Sequence, residues 1–115
     1  MKSIAPTPGQ PVRGSRTGRP LMAALDLLGR RGALRVLWEL RTGTAFTFRA
    51  LQDAADLSPA TLNTRLRELR EAGIIDAEDG YKLTGLGALL LPALEPLNDW
   101  AARWAKATDK KSKRR

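Results

Sequence analysis

Cysteine and histidine are both absent from this 115-residue chain. The first absence excludes disulfides, thiol redox sensing and thiolate metal sites; the second removes the imidazole on which nucleophile–imidazole catalysis depends. Long apolar runs are missing too. Nothing approaches the roughly 20 residues needed to cross a bilayer, and the first residues lack the apolar core of a signal peptide. A cytoplasmic protein without membrane contact is therefore expected. No grouping of side chains suits catalysis, so an enzyme is not expected, and neither a metal nor a cofactor is implied.

What is present is positive charge, unevenly placed. The formal net charge is +8, but residues 1–19 carry four cations and no acids, and residues 106–115 carry six cations against Asp109. Residues 20–105 hold ten Arg/Lys and eleven Asp/Glu, so the excess lies in the tails and any nucleic-acid footprint on the body must come from local placement of arginines. The 43% hydrophobic content suits one domain with a modest core. Residues 1–19, rich in Pro, Gly, Ser and Thr, predict a disordered arm. Such an arm either follows a DNA backbone or only solubilises the chain.

The body is organised around Leu57 to Leu83. Ser58 is a good N-cap, Pro59 suits the first helical position, and Gly73 can take the positive φ that ends a helix, which predicts a helix from about Pro59 to Ala72. Leu62, Leu66 and Leu69 define its buried stripe and leave Ala60, Thr61, Asn63, Thr64 and Arg67 outward. Short polar side chains near a helix N-terminus are what a major groove admits, because the backbone must approach the base edges closely; an ordinary solvated face has the same appearance. Ile74 to Ala77 and Tyr81 to Leu83 are β-prone and flank Asp79-Gly80, a dipeptide favouring a type I′ hairpin turn. Helix, glycine and hairpin follow the winged-helix order.

Before this unit, Pro20 and Gly29 bracket a first helix with Leu21, Leu25 and Leu28 as its stripe. Leu34, Leu37, Trp38 and Leu40 predict a second helix up to Gly43, with Trp38 in the core. Thr47 can cap a third helix burying Phe48 and Leu51, with Ala54 completing the turn. Ala55-Asp56-Leu57 then joins it to the Pro59 helix in a helix-turn-helix pattern, and Arg49 lies in its first turn, where a phosphate is a natural neighbour. After the hairpin, Thr84 can cap a long final helix with the stripe Leu86, Leu90, Leu94, Leu97, Trp100 and Trp104. Pro92 and Pro96 inside it predict a bend. So long a stripe exceeds what a domain of this size can cover, which points to an oligomer interface.

Arg19 to Ala101 resembles the HxlR-type winged-helix transcriptional regulators. The resemblance is carried, in order, by Leu27-Leu28-Gly29, Leu37-Trp38-Glu39-Leu40, Phe48-Arg49-Ala50-Leu51 and Leu57-Ser58. It continues through Leu66-Arg67-Glu68-Leu69-Arg70-Glu71-Ala72-Gly73, Tyr81-Lys82-Leu83-Thr84-Gly85-Leu86-Gly87, Leu90-Leu91-Pro92, Leu94-Glu95 and Trp100. It implies a mainly α fold with a small β-hairpin wing, spanning residues 20–105 between the basic tails at 1–19 and 106–115. It further implies a homodimer joined through the first and last helices, binding double-stranded DNA with helix 59–72 in the major groove. On that reading Arg49, Ser58, Ala60, Thr61, Asn63, Thr64, Arg65, Arg67 and Lys82 face DNA, and Leu21, Leu25, Leu86, Leu90, Leu94, Leu97, Trp100 and Trp104 form the dimer face. The chain departs from the family pattern at Arg19, where a sensing cysteine is common; at Arg31-Gly32, where Lys-Trp is usual; and at Glu78-Asp79, an acidic wing tip. A small-molecule effector, where one exists, would have to act without a thiol. The remaining readings are a winged-helix module that binds protein and a nucleoid-associated type of protein held on DNA by its tails.

Overall fold

The computed structural model describes residues 5–113, with side chains to residue 109. Eight elements follow in order: α1 (Pro20–Leu28), α2 (Ala33–Glu39), α3 (Phe48–Ala55), α4 (Pro59–Glu71), β1 (Ile75–Asp76), β2 (Lys82–Leu83), α5 (Gly85–Ala88) and α6 (Leu91–Lys113). A 3-10 turn over Leu40–Thr42 extends α2. The core sits where α2, α3 and α4 converge on β1, and Leu37, Leu40, Leu51, Leu62 and Leu69 are its largest fully buried side chains. Each contributes about 1.5–3 kcal/mol by leaving water.

The caps behave as their chemistry requires. The hydroxyl of Thr47 accepts the Ala50 N–H at 3.1 Å and that of Ser58 accepts the Thr61 N–H at 3.2 Å, so each satisfies a donor that the first helical turn leaves orphaned. Asp56 takes the left-handed conformation (φ 54°) that turns the chain between α3 and α4. Gly73 (φ 80°) closes α4 as expected.

The pairing of β1 with β2 is antiparallel, with Ile75 opposite Leu83 and Asp76 opposite Lys82. Tyr81 also exchanges two backbone hydrogen bonds with Phe46, at 2.8 and 2.9 Å, so a single bridge ties the α2–α3 link to the hairpin. This corrects the expected type I′ turn: Gly80 has a positive φ but Asp79 does not, and residues 77–81 form a longer loop. The Asp76 carboxylate accepts the Glu78 N–H at 2.8 Å and bends the chain early, while Phe46 draws Tyr81 away from a two-residue hairpin.

Five further expectations change. The long final helix is split, and Pro92, which has no N–H and restricts Leu91, falls in the first turn of the new helix, where its missing donor costs nothing. Only Pro96 lies inside α6, and Thr84 caps the short α5 instead, through the Gly87 N–H at 3.0 Å. Gly87 is needed there, since a Cβ would stand 2.1 Å from the Ile74 carbonyl oxygen. In α2 the buried residues are Ala33, Val36 and Leu37, whereas Leu34 and Trp38 are exposed; in α3 Leu51 is buried as expected but with Ala55, and Phe48 is only half-buried. Residues 5–19, expected to be disordered, fold back on α1: Gly9 N–H donates to Gly18 O, Arg13 N–H donates to the Asp26 carboxylate, and Ala5 enters the core. Small residues and prolines pack without losing much side-chain entropy, which offsets their low hydrophobicity. Residues 106–113, expected as a tail, continue α6; residues 1–4 and 114–115 of the expected arms lie outside those described.

Candidate nucleic-acid interface

Helix α4 presents two chemically different sides. Leu62, Leu66 and Leu69 are buried against the body, while Ala60, Asn63 and Arg67 are exposed and Thr61 and Thr64 half-buried. Ala60, Asn63, Thr64 and Arg67 stand at i, i+3, i+4 and i+7, so they share one outward stripe. Two of the hydroxyls already have partners: Thr64 donates to the Ala60 carbonyl at 3.0 Å, and Thr61 lies 3.0 Å from the Ser58 hydroxyl. Thr64 can still accept from an amino group at a base edge, and Thr61, which accepts from Ser58, keeps its own O–H to donate to a base acceptor or a phosphate oxygen. Ser58 acts as the helix cap, so its place in the expected DNA-facing set is first of all structural.

Arg65 departs most from expectation. It is only 16% exposed, and its Nε lies 3.3 Å from Glu68 Oε1, in ion-pair contact but out of hydrogen-bond alignment. Glu68 is itself 3% exposed and its other oxygen accepts from Arg30 Nη1, while Arg30 Nε lies 3.6 Å from Asp26. Asp26, Arg30, Glu68 and Arg65 thus form a chain of charges from α1 to α4. A carboxylate so buried needs its cations, and the pull of Glu68 turns Arg65 inward.

The free cations lie elsewhere. Arg49, in the first turn of α3, and Arg67 are exposed, with no ion-pair partner among the described residues. Arg70, absent from the expected set, joins Arg67 in lining a cavity of about 630 Å³ between α4 and the wing, across from Asp76, Ala77 and Glu78. Its signal in the sequence was its spacing of three from Arg67, which puts both on neighbouring turns. Lys82 is half-buried on β2 opposite Asp76. This face accordingly has Arg67, Arg70 and Glu71 on the helix side and carboxylates alone on the wing side.

Residues 31–78 match the family described as a helix-turn-helix domain. The crystal structure of the quinone-bound YodB from B. subtilis superposes on this chain with a TM-score of 0.68, over 73% of this chain and 97% of that one, at 26% identity. The chain carries a winged helix-turn-helix domain. In it α3 and α4 are the helix pair, and β1 and β2 are the wing, bridged to Phe46 at Tyr81. Such a domain and such a neighbour support a DNA-binding transcription regulator. No curated protein matches the chain. No helix among the described residues is long and apolar enough to cross a membrane.

The residues expected at a dimer face come out mostly uncovered. Leu21, Leu25, Leu86, Leu97, Trp100 and Trp104 are exposed, Leu90 and Leu94 are half-buried, and Trp100 stacks on Trp104 with ring centroids 5.4 Å apart. Leu89, at the joint between α5 and α6, extends this apolar surface.

Proposed function

We propose that this chain is a sequence-specific transcriptional regulator of the HxlR type, acting as a homodimer. Helix α4 enters the major groove and α1 and α6 form the dimer face. The observation that carries the reading is the outward stripe Ala60, Asn63, Thr64, Arg67: short enough for close approach at the N-terminal end, and able to hydrogen-bond base edges further along. Arg49, Arg70 and Lys82 hold phosphates on either side, and the basic ends of the chain add sequence-independent attraction. The apolar surface from Leu21 and Leu25 to Trp100 and Trp104 is larger than isolated exposed residues produce, and a second copy is its natural cover. The dimer would set two α4 helices for two half-sites. An effector would bind non-covalently or at an amine, since the chain has no sulfur nucleophile.

Gel shift against genomic fragments with excess competitor DNA tests the reading: one fragment should stay retained while bulk DNA is competed away. Equal retention of bulk DNA would instead mark a nucleoid-associated protein. Retention of nothing would favour a protein-binding module, a reading supported by the near-neutral body and the carboxylates of Asp76, Glu78 and Asp79 on the wing. Sedimentation showing a monomer at micromolar concentration would remove the homodimer.

A further inference from the structure

A second cavity, of about 480 Å³, opens between the helix-turn-helix body and α6. Trp38 and Arg41 form one wall, and Leu91, Leu94, Glu95 and Asp99 the other. Trp38 is 47% exposed, an unusual state for a ring of that size. The Arg41 guanidinium lies 4.0 Å from its ring centroid and is tied back by donating to the Trp38 carbonyl at 2.8 Å. Across the cleft, Glu95 and Asp99 stand one turn apart on α6, and neither has an ion-pair or hydrogen-bond partner among the described residues.

We infer that this cleft is a binding site for a small organic cation with an apolar body. The chain's own guanidinium already shows what the Trp38 face accepts, since a cation over an indole is attracted by the ring quadrupole. Leu91 and Leu94 offer apolar surface to the body of such a ligand, and the two unpaired carboxylates take its ammonium group. Arg41 supplies one positive charge against two negative ones, so the cleft retains a net attraction for a monocation. At 3.6 residues per turn, Glu95 and Asp99 stand roughly opposite Leu97 and Trp104 on α6, so a partner covering Leu97 and Trp104 leaves both carboxylates facing the cleft, and Leu94 is shared by the two surfaces. A ligand there would bridge the DNA-binding body and the helix proposed for dimerisation.

Titration calorimetry of the full chain with benzylammonium tests the site, with benzyl alcohol and benzoate as neutral and anionic controls of the same size. Benzylammonium should bind once per chain and the controls should not. The double substitution Glu95→Gln with Asp99→Asn, both on an exposed surface, should weaken binding about tenfold, the effect of two partly exposed ion pairs. Arg41→Ala should tighten it by vacating the Trp38 face and removing a like charge. Preference for benzoate, lost in Arg41→Ala, would overturn the inference by making Arg41 the anchor of an anion site. So would benzylammonium affinity unchanged in the double variant, or no heat with any probe at millimolar concentration. The titration contains no DNA, so its failure is separate from failure of the DNA-binding reading.

Discussion

Helices α4 and α6 carry the same kind of leucine-rich stripe, yet they end in opposite situations. In α4, Leu62, Leu66 and Leu69 are 0–2% exposed; in α6, Leu97, Trp100 and Trp104 are 51–59% exposed. The difference lies in the neighbours and not in the helices: α4 is packed into a body made by α2, α3 and β1, while α6 runs past that body. Periodicity tells which face of a helix is apolar, and says nothing about whether the same chain can cover it.

The comparison is best broken from the α4 side. Leu66→Ala should cost about 2–5 kcal/mol of folding stability by leaving a cavity among Leu51, Leu62 and Leu69, read from the urea midpoint. Trp104→Ala should shift the midpoint less, and only through the proposed dimer, by an amount that falls away as the protein is diluted. If both substitutions shifted the midpoint equally, α6 would be part of the core and the contrast would be lost.

From the α6 side, Leu97→Asp should dissociate the proposed dimer, since each apolar side chain buried at such an interface contributes about 1.5–3 kcal/mol and a two-fold interface counts it twice. Sedimentation velocity reads this directly, and circular dichroism should show the helices retained.

Within α4 the contrast narrows to two arginines two residues apart. Arg67→Ala should cost about 1–3 kcal/mol on a cognate duplex and little on scrambled DNA. Arg65→Ala should register chiefly in stability, because it strips a cation from buried Glu68. Binding isotherms beside melting curves separate them; loss of discrimination in Arg65→Ala alone would reverse the assignment. A smaller effect belongs to the cap: Ser58→Ala should lower stability by about 1 kcal/mol. The smallest expected effect is none at all. Diamide or peroxide should leave DNA binding unchanged, because there is no thiol to oxidise, and a reductant-reversible loss would contradict that.

The legible features share a scale. Ser58, Pro59 and Gly73 mark the ends of α4, and Thr47 the start of α3, because a cap acts within about one turn of its own residue. The order of helix pair, glycine and hairpin was readable for the same reason, as was the outward stripe of α4. Arg65 was not: its direction depends on Glu68, and the burial of Glu68 depends on Arg30, 38 residues away in the sequence. Trp38 misled because a tryptophan in an apolar repeat reads as core, while here Val36 and Leu37 take the core and the ring lies beneath Arg41.

What the sequence by itself determined, then, is every feature whose cause is local. The caps, the periods and the absence of thiol chemistry are all of this kind, since each follows from the covalent structure of a few neighbouring residues. Tertiary structure alone decided which cations stay free, since a charge is claimed by whichever buried opposite charge the fold brings within a few ångströms. It decided equally that Phe46 pairs with Tyr81 and lengthens the wing loop, and that residues 5–19 lie against α1. These are contacts between distant segments, and their free energy exists only once the core has brought those segments together.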